Sequence, residues 1–122
     1  MREKRKHHEL LAWQQAIKLV EAVYLATRPF PKEEIYGLTA QIRREAISIP
    51  SNIAEGAAHS ARKEFLHFLS MARGSLSEIE TQLIIAQDLG YLKSDAEIFQ
   101  FLDKVFALVG GLMKSLRTID NQ

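Results

Sequence analysis

Apolar residues recur at alternating spacings of four and three along Phe65, Leu69, Ala72, Leu76, Ile79, Leu83 and Ala86. That is the period of a helix with one buried face, not of a strand. The same alternation runs through Ile98, Leu102, Val105, Val109, Leu112, Leu116 and Ile119, and Ser94 with Glu97 three residues on supplies a capping box for its start. Between these helices Gly90 is free to take the left-handed conformation that ends a helix, with Tyr91 and Leu92 folding back on the last turn. Leu10, Trp13, Ile17, Val20 and Tyr24 form an earlier seam that stops before Pro29, and Ile35, Leu38, Ile42, Ala46, Ile49 and Ile53 form another. Pro31, Glu33 and Glu34 suit a first helical turn. The second helix is therefore expected from about residue 32 to Ala57 or Ala58, with Ser60 as the N-cap of the third.

Residues at one level of an antiparallel hairpin have numbers that add to a constant. Phe65 with Ile119, Ala72 with Leu112, Ile79 with Val105 and Ala86 with Ile98 all give 184, while Leu10 with Ile49, Trp13 with Ala46, Ile17 with Ile42 and Tyr24 with Ile35 all give 59. Both hairpins close on apolar layers, so the expected fold is all-α: an up-down-up-down antiparallel four-helix bundle over residues 10–119, preceded by a basic arm at residues 1–9. Phe99, Phe101, Phe106, Leu108 and Met113 lie off the seam of the fourth helix, which predicts a second buried side against another subunit, or a wider core as the plainer alternative. Gly74 falls level with Val109, beside Gly110 and Gly111, which suggests close helix approach there, since mid-helix glycine costs about 1 kcal/mol relative to alanine.

Composition narrows the chemistry. At 122 residues the chain is one domain, and its lack of cysteine removes disulfides, thiolate metal sites and thiol nucleophiles. No apolar run is long enough to span a membrane and no signal-peptide core follows the charged start, so cytoplasmic residence is expected. Sixteen basic and fifteen acidic residues leave a net charge of +1. The balance is uneven: residues 1–73 carry 12 basic and 8 acidic side chains, and residues 74–122 carry 4 and 7.

Arg2, Lys4, Arg5 and Lys6, with His7 and His8, make a basic arm, and Arg43, Arg44, Arg62 and Lys63 extend a positive component toward the middle turn. These eight cations are the candidate contacts to RNA or DNA phosphates; the alternative is a solvated tail and helix charges paired with Glu45 and Glu64. On the second helix Gln41, Glu45, Ser48, Asn52 and Glu55 form a polar stripe that runs past Pro50, where a kink or break is expected and Ser48 or Ser51 is placed to bond the freed groups. Across the turn this puts Asn52 opposite His67 and Glu55 opposite Glu64, so Ser48, Asn52, Glu55 and His67 are expected to form a structural polar network. Glu64 and His67 have the spacing of a di-iron motif, but a second copy is missing, so neither metal nor cofactor is expected. Arg62 and His67 also look like the Arg-x-x-x-x-His motif of HEPN ribonucleases; with His67 expected to face Asn52, no catalytic residue is assigned.

LLAWQQAIKLV from Leu10, PKEEIYGLTAQIRREAISIPSNIAEG from Pro31 and EFLHFLSMARGSLSEIETQLIIAQDLGYL from Glu64 resemble the bacterial four-helix-bundle family first known from open reading frames in intervening sequences of 23S ribosomal RNA genes. SIPSNIAEG at Ser48 to Gly56 and ARGSLSEIETQL at Ala72 to Leu83 are its signature stretches. The resemblance implies a ring-shaped homopentamer of bundles, related to accessory variability proteins of diversity-generating retroelements that bind nucleic acid and a reverse transcriptase. The expected function is thus a non-enzymatic homo-oligomer with possible nucleic-acid binding, against a protein-interaction scaffold with a protein partner, or a HEPN-like ribonuclease.

Overall fold

Four helices occupy Leu11–Thr27 (α1), Leu38–Ala58 (α2), Arg62–Asp88 (α3) and Ile98–Asp120 (α4), with short 3-10 turns at Lys6–Glu9 and Lys32–Glu34. The structure, a computed structural model, describes residues 2–93 and 96–120, apart from the side chains of 119 and 120. The expected N-cap Ser94 and the side chain of Ile119 lie outside the described residues. Among the described residues every regular element is helical. α1 packs on α2 and α4, and α3 packs on α2 and α4, with α2 against α3 the most extensive contact and no close backbone approach between diagonal pairs among the described residues. That is a four-helix bundle whose sides are consecutive helices closed by α1 against α4.

The seams of α2, α3 and α4 are the core. Ile42, Ala46, Ile49 and Ile53 from α2, Leu69 to Ala86 along the α3 seam, and Ile98, Leu102, Val105 and Val109 from α4 are buried in one cluster. Each large aliphatic side chain fully removed from water contributes about 1.5–3 kcal/mol. On α4 the burial then drifts from Leu112 to Met113, as a straight helix of 3.6 residues per turn must drift from a 3.5-residue repeat. Of the off-seam residues of α4, Met113 is buried and Phe99, Phe101, Phe106 and Leu108 are half-buried against the same cluster.

Several local expectations are corrected. α1 buries Ala12, Ala16, Leu19, Val23 and Thr27, whereas Trp13, Ile17 and Val20 are half-buried and Tyr24 is exposed. The helix is turned by about one residue because small Ala12 and Ala16 fit the core side, leaving the bulkier residues along the boundary with α2. α2 starts at Leu38, not near residue 32; Glu34 accepts from the Leu38 amide through Oε1 at 3.3 Å and so caps the helix from outside it. Ile35 is accordingly exposed. α3 begins one residue later than expected, with Ala61 rather than Ser60 as its N-cap and no side-chain cap.

α2 runs unbroken through Pro50. Ser48 Oγ donates to the Glu45 carbonyl at 2.7 Å and Ser51 Oγ to that of Ile47 at 2.9 Å, on either side of the Ala46 carbonyl that proline deprives of its usual amide. Gly90 behaves as expected: at φ +82° it closes α3, the Tyr91 amide donating to Ala86 at 2.9 Å and the Gly90 amide to Gln87 at 2.9 Å. A Cβ at Gly74, Gly110 or Gly111 would meet nothing within 4 Å, so close helix approach does not explain them. The close approach is at buried Gly56, where a Cβ would sit 2.9 Å from both Phe65 Cδ1 and Phe68 Cβ, which explains why α2 and α3 pack so extensively.

Candidate nucleic-acid interface

The arm folds back on the bundle instead of trailing from it. Its turn packs on both α1 and α2. The Arg5 amide donates to His8 Nδ1 at 3.0 Å, and Gln14 Nε2 donates to the His8 carbonyl at 2.7 Å, tying the turn to the start of α1. The rings of His7 and His8 lie 4.9 and 5.1 Å from that of Trp13. Burial first, then the charges of His8 and Arg5, hold the His7 imidazole below its usual pKa, so this packing favours the neutral ring. A cleft of about 580 Å³ opens beside this cluster, walled by Arg2, Lys4, Arg5, His7, His8 and Trp13, with Glu3 also on its lining.

Arg5 pairs with Glu3 at 2.7 Å and Lys4 with Glu9 at 3.5 Å, both exposed contacts of the kind worth less than about 1 kcal/mol, while Arg2 and Lys6 make no ion pair among the described residues. The up-down order brings the end of α2 and the start of α3 to this end, where Arg62 and Lys63 are exposed. Six of the eight expected cations thus share one end. Arg43 and Arg44 do not: they sit some fifteen residues before the end of α2, roughly 20 Å away along the axis.

Arg43 has another role. Its Nε donates to Thr27 Oγ1 at 2.9 Å, its Nη2 to the Tyr24 carbonyl at 3.4 Å, and its guanidinium carbon lies 4.5 Å from the Tyr24 ring centroid. A cation at the C-terminus of α1 meets the carbonyls left without helical partners and the negative end of the dipole. Nearby, Tyr91 Oη donates to Glu34 Oε2 at 3.1 Å and its ring lies 5.6 Å from that of buried Phe30, so the first loop is bonded to the α3–α4 turn. That hydrogen bond, followed by burial and the Glu34 charge, holds the Tyr91 phenol above its usual pKa.

The polar network forms with different members. Ser48 Oγ lies 2.7 Å from Ser75 Oγ across α2 and α3, with the Glu45 and Glu78 carboxyls beside this pair. Burial, then the Glu78 charge and hydrogen bond, raise the Glu45 pKa against the opposing pull of Ser75 and Arg44. Asn52 donates back to the Ser48 carbonyl at 2.9 Å, and exposed His67 packs its ring at 5.4 Å from Phe68 rather than facing Asn52. Glu55 is also exposed. Ser48 with Ser75 adds to 123, four more than the 119 of Asn52 with His67, and the start of α3 one residue late accounts for only part of that slip. His67 and Glu64 are both exposed, and no group of three or more metal-ligating side chains occurs among the described residues.

Trp13 and Gln14 were not among the sequence candidates for this site, and His7 and His8 entered only as members of the basic arm. The sequence offered one signal for them, a histidine pair five residues before the only tryptophan. No helix among the described residues is long and apolar enough to cross a membrane.

Residues 8–111 match the family described as 23S rRNA-intervening sequence protein. No curated protein matches the chain. A match across most of a four-helix chain makes this protein a member of the 23S rRNA-intervening sequence protein family.

Proposed function

We propose that this chain is a non-enzymatic helical bundle that assembles as a homopentameric ring and binds RNA or DNA through backbone phosphates at its arm end. The observation that carries this reading is the cleft that Arg2, Lys4 and Arg5 wall beside Trp13, with Lys6, Arg62 and Lys63 at the same end by element order, in a chain whose net charge is only +1. Cations of this kind bind phosphate without reading bases, and a ring multiplies a weak site by repeating it. Arg62 and His67 lie five residues apart on α3, about 140° apart around its axis. The experiment is binding of labelled RNA and DNA at low and moderate salt, with light scattering on the same samples. The expected result is a pentamer that binds both nucleic acids and releases them as salt rises. A monomer, or a protein indifferent to both at low salt, contradicts the proposal.

A second reading, a protein-interaction scaffold, is favoured by one observation at the other end. Tyr36 is 97% exposed, and Leu25, Ile35 and Leu89 are each more than half exposed beside it in the bundle order. Such apolar surface suits contact with another chain. It serves subunit assembly in the first reading and a foreign partner in the second; a defined protein recovered with the wild type and lost in Tyr36→Ser, with no nucleic-acid binding, decides for the scaffold.

A further inference from the structure

Trp13 and His7 line two hollows, not one. On one side lies the cationic cleft of the arm; on the other a groove of about 430 Å³ runs between α1 and α2, walled by Trp13, Ile17, Val20, Ile47, Pro50 and Ala54. The groove is within the size of small-molecule sites and almost wholly apolar. From Trp13 to Val20 it covers about 10 Å of helix, long enough for a flat ring and too short for an extended acyl chain. Glu21 closes the far end with negative charge, so an anionic ligand lies with its charge toward Arg2, Lys4 and Arg5.

We infer that the groove and the arm cleft form one bipartite nucleotide site, with a base against Trp13 and His7 in the groove and its phosphate on the arm cations. This rests on the reading of the arm as phosphate-binding and adds a preference for unpaired bases. A duplex keeps its bases stacked and offers only phosphates, whereas a single strand or a free nucleotide presents an aromatic face, and base–aromatic stacking tolerates any base. Pro50 contributes by leaving no amide in the groove wall, and the Ser51 hydroxyl, bonded to the Ile47 carbonyl, leaves only acceptor capacity toward a base edge.

Because Trp13 is the only tryptophan, intrinsic fluorescence reports on the wall shared by the two hollows. The test titrates the full chain with a short single-stranded oligonucleotide, an abasic strand of equal length, the matching duplex, adenosine triphosphate and a fatty-acid anion. The expected result is quenching by the base-bearing strand and binding at least about tenfold weaker for the abasic strand and the duplex. Quenching by adenosine triphosphate as well identifies free nucleotide as a source, and quenching by the strand alone identifies nucleic acid. Ile47→Glu, at a position 45% exposed, should reduce the base-bearing strand to the abasic level, with the melting temperature of the variant measured alongside. Equal binding of all three nucleic acids with steady fluorescence overturns the base site and leaves the phosphate reading standing; absence of all binding removes both. Quenching by the fatty acid and by no nucleotide also overturns it.

Discussion

At the end where α1 begins, Arg2, Lys4 and Arg5 stand around Trp13 beside an open cleft, whereas at the end where α1 finishes, Arg43, Tyr91 and Glu34 bond the chain to itself. The side-chain types are alike and their partners are not. Arg43 finds the Thr27 hydroxyl and the Tyr24 carbonyl at the end of α1, and so becomes a clasp; the arm cations find only exposed Glu3 and Glu9, and remain open to an anion from outside. What a cation does here is set by the backbone within its reach, which neither net charge nor a count of arginines reveals.

The largest expected effect lies at the arm end. Gly56→Ala places a methyl against Phe65 Cδ1 and Phe68 Cβ at 2.9 Å, and since the Phe68 Cβ moves only with its backbone, a loss of about 1–3 kcal/mol in chemical denaturation is expected. An unchanged midpoint would mean that α2 and α3 are not held at this spacing. At the opposite end, Arg43→Ala removes two hydrogen bonds and a ring contact from a half-buried site and should lower stability by about 1–2 kcal/mol. Its affinity for nucleic acid should stay at the wild-type level, and a marked loss of affinity with a small loss of stability would erase the distinction between the ends.

Smaller effects come from the outer surfaces between them. Gly74→Ala meets no neighbour and should stabilise α3 by up to about 1 kcal/mol in a thermal melt; destabilisation would show that another chain covers this face. Glu45 has a folded-state pKa above its unfolded value, so its contribution favours the fold at acid pH and is lost as pH rises through the folded pKa. Glu45→Gln should therefore raise the melting temperature near neutral pH, and the gain should fade once the wild-type carboxyl is protonated below its ordinary range. A gain of equal size at both pH values would remove Glu78 as the cause.

The helices were legible because a core is a period: the seams of α2, α3 and α4 that are buried are those their spacing marks. α1 was misread by one residue because hydrophobicity favours Trp13 and Ile17 over Ala12 and Ala16, while the core takes what fits. The polar network slipped by one turn because a loop's length does not fix register across a contact this long. Arg43 was counted with the phosphate contacts because its clasp depends on a hydroxyl and a carbonyl sixteen and nineteen residues away in sequence. The clefts around Trp13 were illegible, because a surface hollow has no period.

The central claim, that the arm end is the phosphate-binding end, is tested most directly by the salt dependence of single-strand affinity for three proteins: wild type, the fourfold variant Arg2→Gln, Lys4→Gln, Arg5→Gln, Lys6→Gln, and Arg43→Gln. Each phosphate neutralised contributes about −0.7 to the slope of log affinity against log salt on a single strand, so the fourfold variant should flatten the slope by about 3 and Arg43→Gln should leave it unchanged. Equal slopes for wild type and the fourfold variant, or a flattening confined to Arg43→Gln, would contradict the account.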